Sequence, residues 1–135
     1  MRRFLVICSS ILTVGSIVSP ETAGTDTVWT APPEARSREN PVEATSASIV
    51  RGARLYRFNC LICHGSSGRG DGPAAGSVDP RPTDLAVAGR ARTMGDLAWK
   101  IMRGRGEMPG WEDELREEQI WDLVNFIKSL EKECS

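Results

Sequence analysis

A chain of 135 residues, 26 % of them charged and with a formal net charge of −1, has room for one small domain plus extensions. Its balance excludes a nucleic-acid partner held by net positive charge, and a core built from so few residues is marginal unless something else fills it. The balance also hides an asymmetry. Arg51, Arg54, Arg57, Arg69, Arg81, Arg90, Arg92, Lys100, Arg103 and Arg105 occupy the middle of the chain, and Glu112, Asp113, Glu114, Glu117, Glu118 and Asp122 follow them. Such charge is chiefly solvated surface, with a share left for steering a partner.

Residues 1–24 read as a signal peptide for export: Arg2 and Arg3 precede an apolar run from Phe4 to Val18. Ser9, Ser10, Thr13, Gly15 and Ser16 dilute that run, which is shorter than the ~20 residues of a spanning helix. Cleavage is therefore expected over a retained anchor, although no clean A-x-A triplet fixes the cut. Cys8 follows Val6 and Ile7, not the small residues that precede a lipid-modified cysteine. Residues 25–46 turn to Pro, Glu, Arg, Thr and Ser, and Pro32-Pro33 and Asn40-Pro41 are expected to block regular structure. The expectation is a disordered linker, with Trp29 and Asn40-Pro41-Val42 leaving room for an arm that packs on the domain or on a partner.

Residues 47–131 form the predicted domain. Ser46 or Ser48 is the expected cap of a helix running through Ile49, Gly52, Leu55, Tyr56 and Phe58. Gly52 and Tyr56, four apart, share one face. This helix leads into Cys60-Leu61-Ile62-Cys63-His64, the spacing of a covalent c-type haem attachment site. The short turn sets the separation at which two thiols reach two vinyl groups of one porphyrin, and His64 then offers an imidazole nitrogen to the iron. A structural zinc site would need four Cys or His ligands, yet His64 is the single histidine and there is no second CxxC. A thioredoxin-like turn would need a βαβ setting, and no strand-rich unit is visible.

Gly65 to Pro82 carries too many glycines and prolines for regular elements and reads as a long loop that a flat cofactor would template. Thr93 and Asp96 open a second helix over Met94 to about Arg103, with Leu97, Ile101 and Trp99 on its inner side. Gly104 and Gly106 end it, and Glu107-Met108-Pro109-Gly110-Trp111 then fixes a thioether in a turn. A third helix is expected from Asp113 to Glu131, with early acids suiting the helix dipole. Residues 132–135 form a tail in which Cys134 is a frayed-end thiol or a partner for another chain.

Taken together, Gly52 and Tyr56 ahead of the Cys60–His64 motif, Met108-Pro109 downstream, and Asp122-Leu123-Val124-Asn125-Phe126 in the last helix resemble the class I cytochromes c. The likeness is to the bacterial group that includes cytochrome subunits of cbb3-type oxidases. The resemblance covers about Ser46 to Leu130. It implies an all-α small cytochrome c fold, three main helices wrapped with long loops around one covalent haem c, in which Gly52 lets the first helix approach the last beside Tyr56 and Phe126. It further implies that Cys60 and Cys63 hold the haem, that His64 is the proximal ligand, and that Met108 is the distal one in preference to Met94 and Met102. A loop proline carbonyl, Pro82 before Pro80, is expected to accept the hydrogen bond of His64.

The function expected is one-electron transfer between redox partners, as a carrier or as a subunit of a respiratory or dehydrogenase complex. His/Met ligation leaves no vacancy for substrate, so no catalytic residue is assigned. Arg103 and Arg105 are expected to steer an acidic docking surface, and the location is periplasmic or periplasm-facing. A haem enzyme would need distal acid/base groups that a single histidine does not supply. A gas or redox sensor, in which Met108 is displaced, is the remaining alternative.

Overall fold

The computed structural model describes residues 29–130; the signal segment 1–24 and the tail with Cys134 lie outside the described residues. The helices in order are α1 (Pro33–Arg36), α2 (Ser46–Asn59), α3 (Leu61–His64), α4 (Leu85–Ala91), α5 (Met94–Arg103) and α6 (Glu117–Leu130), with a 3-10 turn at Ala75–Ser77. Among the described residues there is no strand, only an isolated bridge between Arg105 and Met108. The all-α expectation holds, with α2, α5 and α6 as its three main helices.

Local chemistry explains where these helices begin. Thr45, not Ser46 or Ser48, caps α2, its hydroxyl accepting the Ser48 N–H at 3.2 Å. The Ser48 hydroxyl is engaged elsewhere, donating to Asp122 Oδ1 at 2.6 Å. Thr93 caps α5 as expected, accepting from the Asp96 N–H at 3.2 Å. α6 begins at Glu117, later than the expected Asp113: residues 112–114 form a turn, and the Gln119 side chain reaches back to the Arg116 N–H at 3.0 Å. Helix α4 lies where residue order predicts no element. Asp84 starts it by accepting the Ala86 and Val87 N–H groups at 2.9 and 3.1 Å. Pro33 sits in the first turn of α1, where its missing N–H costs nothing, so Pro32-Pro33 starts a helical turn instead of blocking one.

Helices α2 and α6 cross at Gly52. A Cβ there would collide with the Asp122 carbonyl oxygen and stand 2.9 Å from Phe126 Cβ, so the two backbones can approach this closely only at glycine. Beside the crossing the rings of Tyr56 and Phe126 lie 5.0 Å apart, tilted by 48°. The core joins Tyr56 of α2 to Leu97, Ala98 and Ile101 of α5 and to Ile120, Trp121, Leu123, Val124 and Ile127 of α6. Asp122 is buried in the same interface and is fully answered: Arg51 donates to its two oxygens at 2.7 and 2.8 Å, and Ser48 supplies a third hydrogen bond. No buried side-chain polar atom among the described residues lacks a partner, as a dense interior requires.

The Pro-rich stretch lies along α5 and α6. The buried Ala31 N–H donates to Asp96 Oδ1 at 2.8 Å, and Asn40 donates to Asn125 Oδ1 at 2.7 Å. Burial acts to raise the Asp96 pKa, but Lys100 at 2.7 Å, the Ala31 amide and Arg92 outweigh it, and the pKa falls below its ordinary 3.8. A carboxylate with a depressed folded-state pKa contributes stability above its unfolded pKa and loses it as the pH falls through the folded value. The arm anchor is thus intact above about pH 4 and is lost in more acidic solution. Acid titration followed by tryptophan emission should show Trp29 parting from Trp99, whose rings are 6.5 Å apart, in that acidic range. In Asp96→Asn the step should vanish.

Candidate functional site

Cys60 closes α2 as its C-cap, and α3 carries Leu61, Ile62, Cys63 and His64 in one turn. So short a helix leaves its carbonyls unsatisfied. The following loop supplies the donors: the Ala74, Gly72 and Gly70 N–H groups bond to the Ile62, Cys63 and His64 carbonyls at 2.9, 3.1 and 2.9 Å. The buried Tyr56 hydroxyl adds a 2.5 Å hydrogen bond to the Gly65 carbonyl. The Gly- and Pro-rich stretch is thereby zipped onto the backbone of the Cys-Leu-Ile-Cys-His segment and fixes its side chains.

Three of these side chains, Cys60, Cys63 and His64, face a cavity of about 400 Å³. Cys60, Cys63 and His64 line one part of it and Met108 with Pro109 and Trp111 another. Leu85, Leu97, Ile101 and Ile127 supply apolar wall, and Arg81, Arg92, Lys100 and Arg105 contribute positive charge. Met108 reaches the cavity from a tight turn in which Arg105 and Met108 exchange two backbone hydrogen bonds of 2.9 and 3.0 Å. Gly104 makes that turn possible: it holds φ +60, where side chains are strained, with the Met108 carbonyl against its α-carbon. Met94 and Met102 pack against the core cluster and are not among the residues lining the cavity.

His64 Nδ1 lies 3.2 Å from the Thr83 carbonyl oxygen. This corrects the expectation of Pro82 as acceptor. The Pro82 carbonyl is pressed against the α-carbon of Gly70, so the next carbonyl along the chain is the one that faces the ring. Because a carbonyl only accepts, the proton sits on Nδ1 and Nε2 keeps a free lone pair for a metal. Burial lowers the His64 pKa, against the opposing pull of the Thr83 carbonyl, which favours the neutral ligand form.

Cys60 and Cys63 are free thiols. Burial first, and Cys63 second, push the Cys60 thiol up to about 11. A redox CxxC turn needs the opposite, a thiol with a lowered pKa. Among the described residues no group of three or more His, Cys, Asp and Glu side chains could hold a metal ion. An apolar cavity with two adjacent free thiols, one imidazole nitrogen free to coordinate and a thioether in its lining fits a haem anchored through sulfur.

The comparisons agree with this geometry. The family described as cytochrome C oxidase, cbb3-type, subunit III matches residues 47–127, and the chain belongs to this family of class I c-type cytochromes, which bind haem c covalently. The chloroplastic cytochrome c6 of Chlamydomonas reinhardtii is 26 % identical over 84 residues, covering 62 % of this chain and 55 % of that protein. The cytochrome bc1 complex cytochrome c subunit of Corynebacterium diphtheriae is 29 % identical over 87 residues, covering 64 % of this chain and 28 % of that protein. The solved reducing HAO-like protein complex of Kuenenia stuttgartiensis superimposes with a TM-score of 0.61 at 28 % identity, covering 67 % of this chain and 46 % of its match. The chain thus spans about half or less of the length of these three proteins. No helix among the described residues is long and apolar enough to cross a membrane.

Proposed function

We propose that this chain passes single electrons between redox proteins, as a carrier or as the cytochrome subunit of an oxidoreductase complex, through a haem held by Cys60 and Cys63 between His64 and Met108. The observation that carries the reading is the meeting of both thiols, His64 and Met108 around one apolar cavity. Bound there, haem supplies a one-electron Fe(III)/Fe(II) couple whose potential follows its axial ligands and surroundings. The protein's part is positional. Cys60 and Cys63 would hold the ring, Thr83 orients His64 so that Nε2 is free to coordinate, and Met108 would offer its thioether as a second ligand, which would leave no place for substrate. Leu97, Ile101 and Ile127 keep water away.

For the partner, Phe58 stands 83 % exposed two residues before Cys60, flanked by Arg54 and Arg57. An exposed aromatic ringed by cations suits an acidic docking surface. Arg103 fits that role less well than its sequence position implies, since it is paired with Glu112 at 3.0 Å. Export to the periplasm is part of the same proposal, because attachment of this cofactor belongs outside the bacterial cytoplasm.

Expression in a host that attaches c-type haem, followed by denaturing acid extraction, tests the reading. The haem should stay with the parent protein and be lost from the Cys60→Ser, Cys63→Ser double variant. Haem that extracts freely from the parent would remove the basis of the proposal.

A further inference from the structure

Trp29 lies outside the segment 47–127 that the family match covers, yet it lines the same cavity as Cys60, Cys63, His64 and Met108. A half-buried aromatic is by default core packing, but Trp29 is not part of the core cluster. Its ring meets cations instead: Lys100 Nζ stands 5.4 Å from the ring centroid and the Arg105 guanidinium carbon 6.0 Å, distances at which a π face attracts positive charge.

The arm behind Trp29 is tied down at successive points. Ala31 is anchored on Asp96, as described above. At Gly95 the absence of a side chain lets the carbonyls of Ala35, Arg36 and Arg38 rest against the α-carbon, and the Thr93 hydroxyl donates to the Arg36 carbonyl at 2.8 Å. Arg38 pairs with Glu117 and lies 5.4 Å over the Trp121 ring. These ties hold the indole where α5 meets the 105–108 turn, and Arg105, within cation–π reach of it, exchanges both turn hydrogen bonds with Met108.

We infer that Trp29 is a positioning residue of the haem crevice, supplied by the arm and not by the domain that the family match covers: it excludes water from the Met108 side and buttresses the turn that presents Met108. The inference rests on the reading of the cavity as a haem site. Water admitted at this wall would stabilise the more highly charged oxidised iron and lower the potential, and a loosened turn would yield Met108 more readily to an added ligand.

The test uses the full-length holoprotein as parent, Trp29→Phe and Trp29→Ala, with Val50→Ala as an exposed control. The measurements are the reduction potential and the rate at which imidazole displaces the native ligand in the oxidised protein. Trp29→Ala should shift the potential down and speed displacement several-fold, with Trp29→Phe closer to the parent and the control unchanged. Should Trp29→Ala not fold, Trp29→Leu should show the same shifts. Retained covalent haem with parent-like potential and displacement rate, even alongside a lower unfolding midpoint, would reduce Trp29 to packing and overturn the inference. Absence of covalent haem from the parent is a separate result: it removes the haem reading, and this inference with it.

Discussion

Met108→Ala should leave haem attached through Cys60 and Cys63 while lowering its reduction potential, by on the order of a tenth of a volt within the roughly 0.8 V that axial ligation commands. A thioether favours the reduced iron, and alanine leaves the position open to water or a weak ligand. The oxidised parent should show a weak charge-transfer band toward the red end of the visible spectrum, and the variant should lack it. Met94→Ala and Met102→Ala should keep both band and potential, because those side chains pack against the core cluster and do not line the cavity. An unchanged spectrum and potential in Met108→Ala would reject Met108 as ligand.

Gly52→Ala should lower the stability of this chain substantially. The added Cβ would collide with the Asp122 carbonyl oxygen and lie 2.7 Å from its carbon. Backbone on a packed helix cannot swing aside as a flexible side chain can. Relief requires α2 and α6 to separate, which pulls Tyr56 from Phe126 and loosens the Ser48, Arg51 and Asp122 hydrogen bonds together. Overpacking of this kind costs about 2–4 kcal/mol, a large part of the ~5–15 kcal/mol that holds a small domain folded. Urea unfolding of the holoprotein measures it. Gly76→Ala, where nothing lies within 4 Å of the added carbon, should stay within about 0.5 kcal/mol. Equal midpoints for the two variants would show that the crossing is not the constraint described.

Much of this architecture was legible in residue order because its signals are local. The Cys60–His64 spacing, the Thr93 cap and Gly104 stop of α5, and the four-residue interval from Gly52 to Tyr56 each lie within a few positions of one another. What escaped depends on distant contacts. Thr83 replaces Pro82 as the partner of His64 because of where Gly70 presses, a relation no window around residue 82 contains. Leu115 continues the apolar spacing of α6 and is partly buried against the core, so its periodicity read as helix although its backbone turns. Helix α4 spans seven residues, too short for spacing to reveal, and only the Asp84 cap announced it. The arm, polar and proline-bearing, has the composition of a linker. Its order comes from single anchors, Ala31 on Asp96 and Asn40 on Asn125, spread over 65 and 85 positions of chain.

The hydrogen bond from Ser48 to Asp122 joins residues 74 positions apart, and this has a consequence for the order of events during synthesis. A ribosome delivers the amino end first. Helix α2 and the two cysteines therefore emerge well before α6 exists to close over them. The contacts that complete this fold therefore wait for the last helix, since Gly52, Ser48 and Arg51 have no partner until Asp122 has been made.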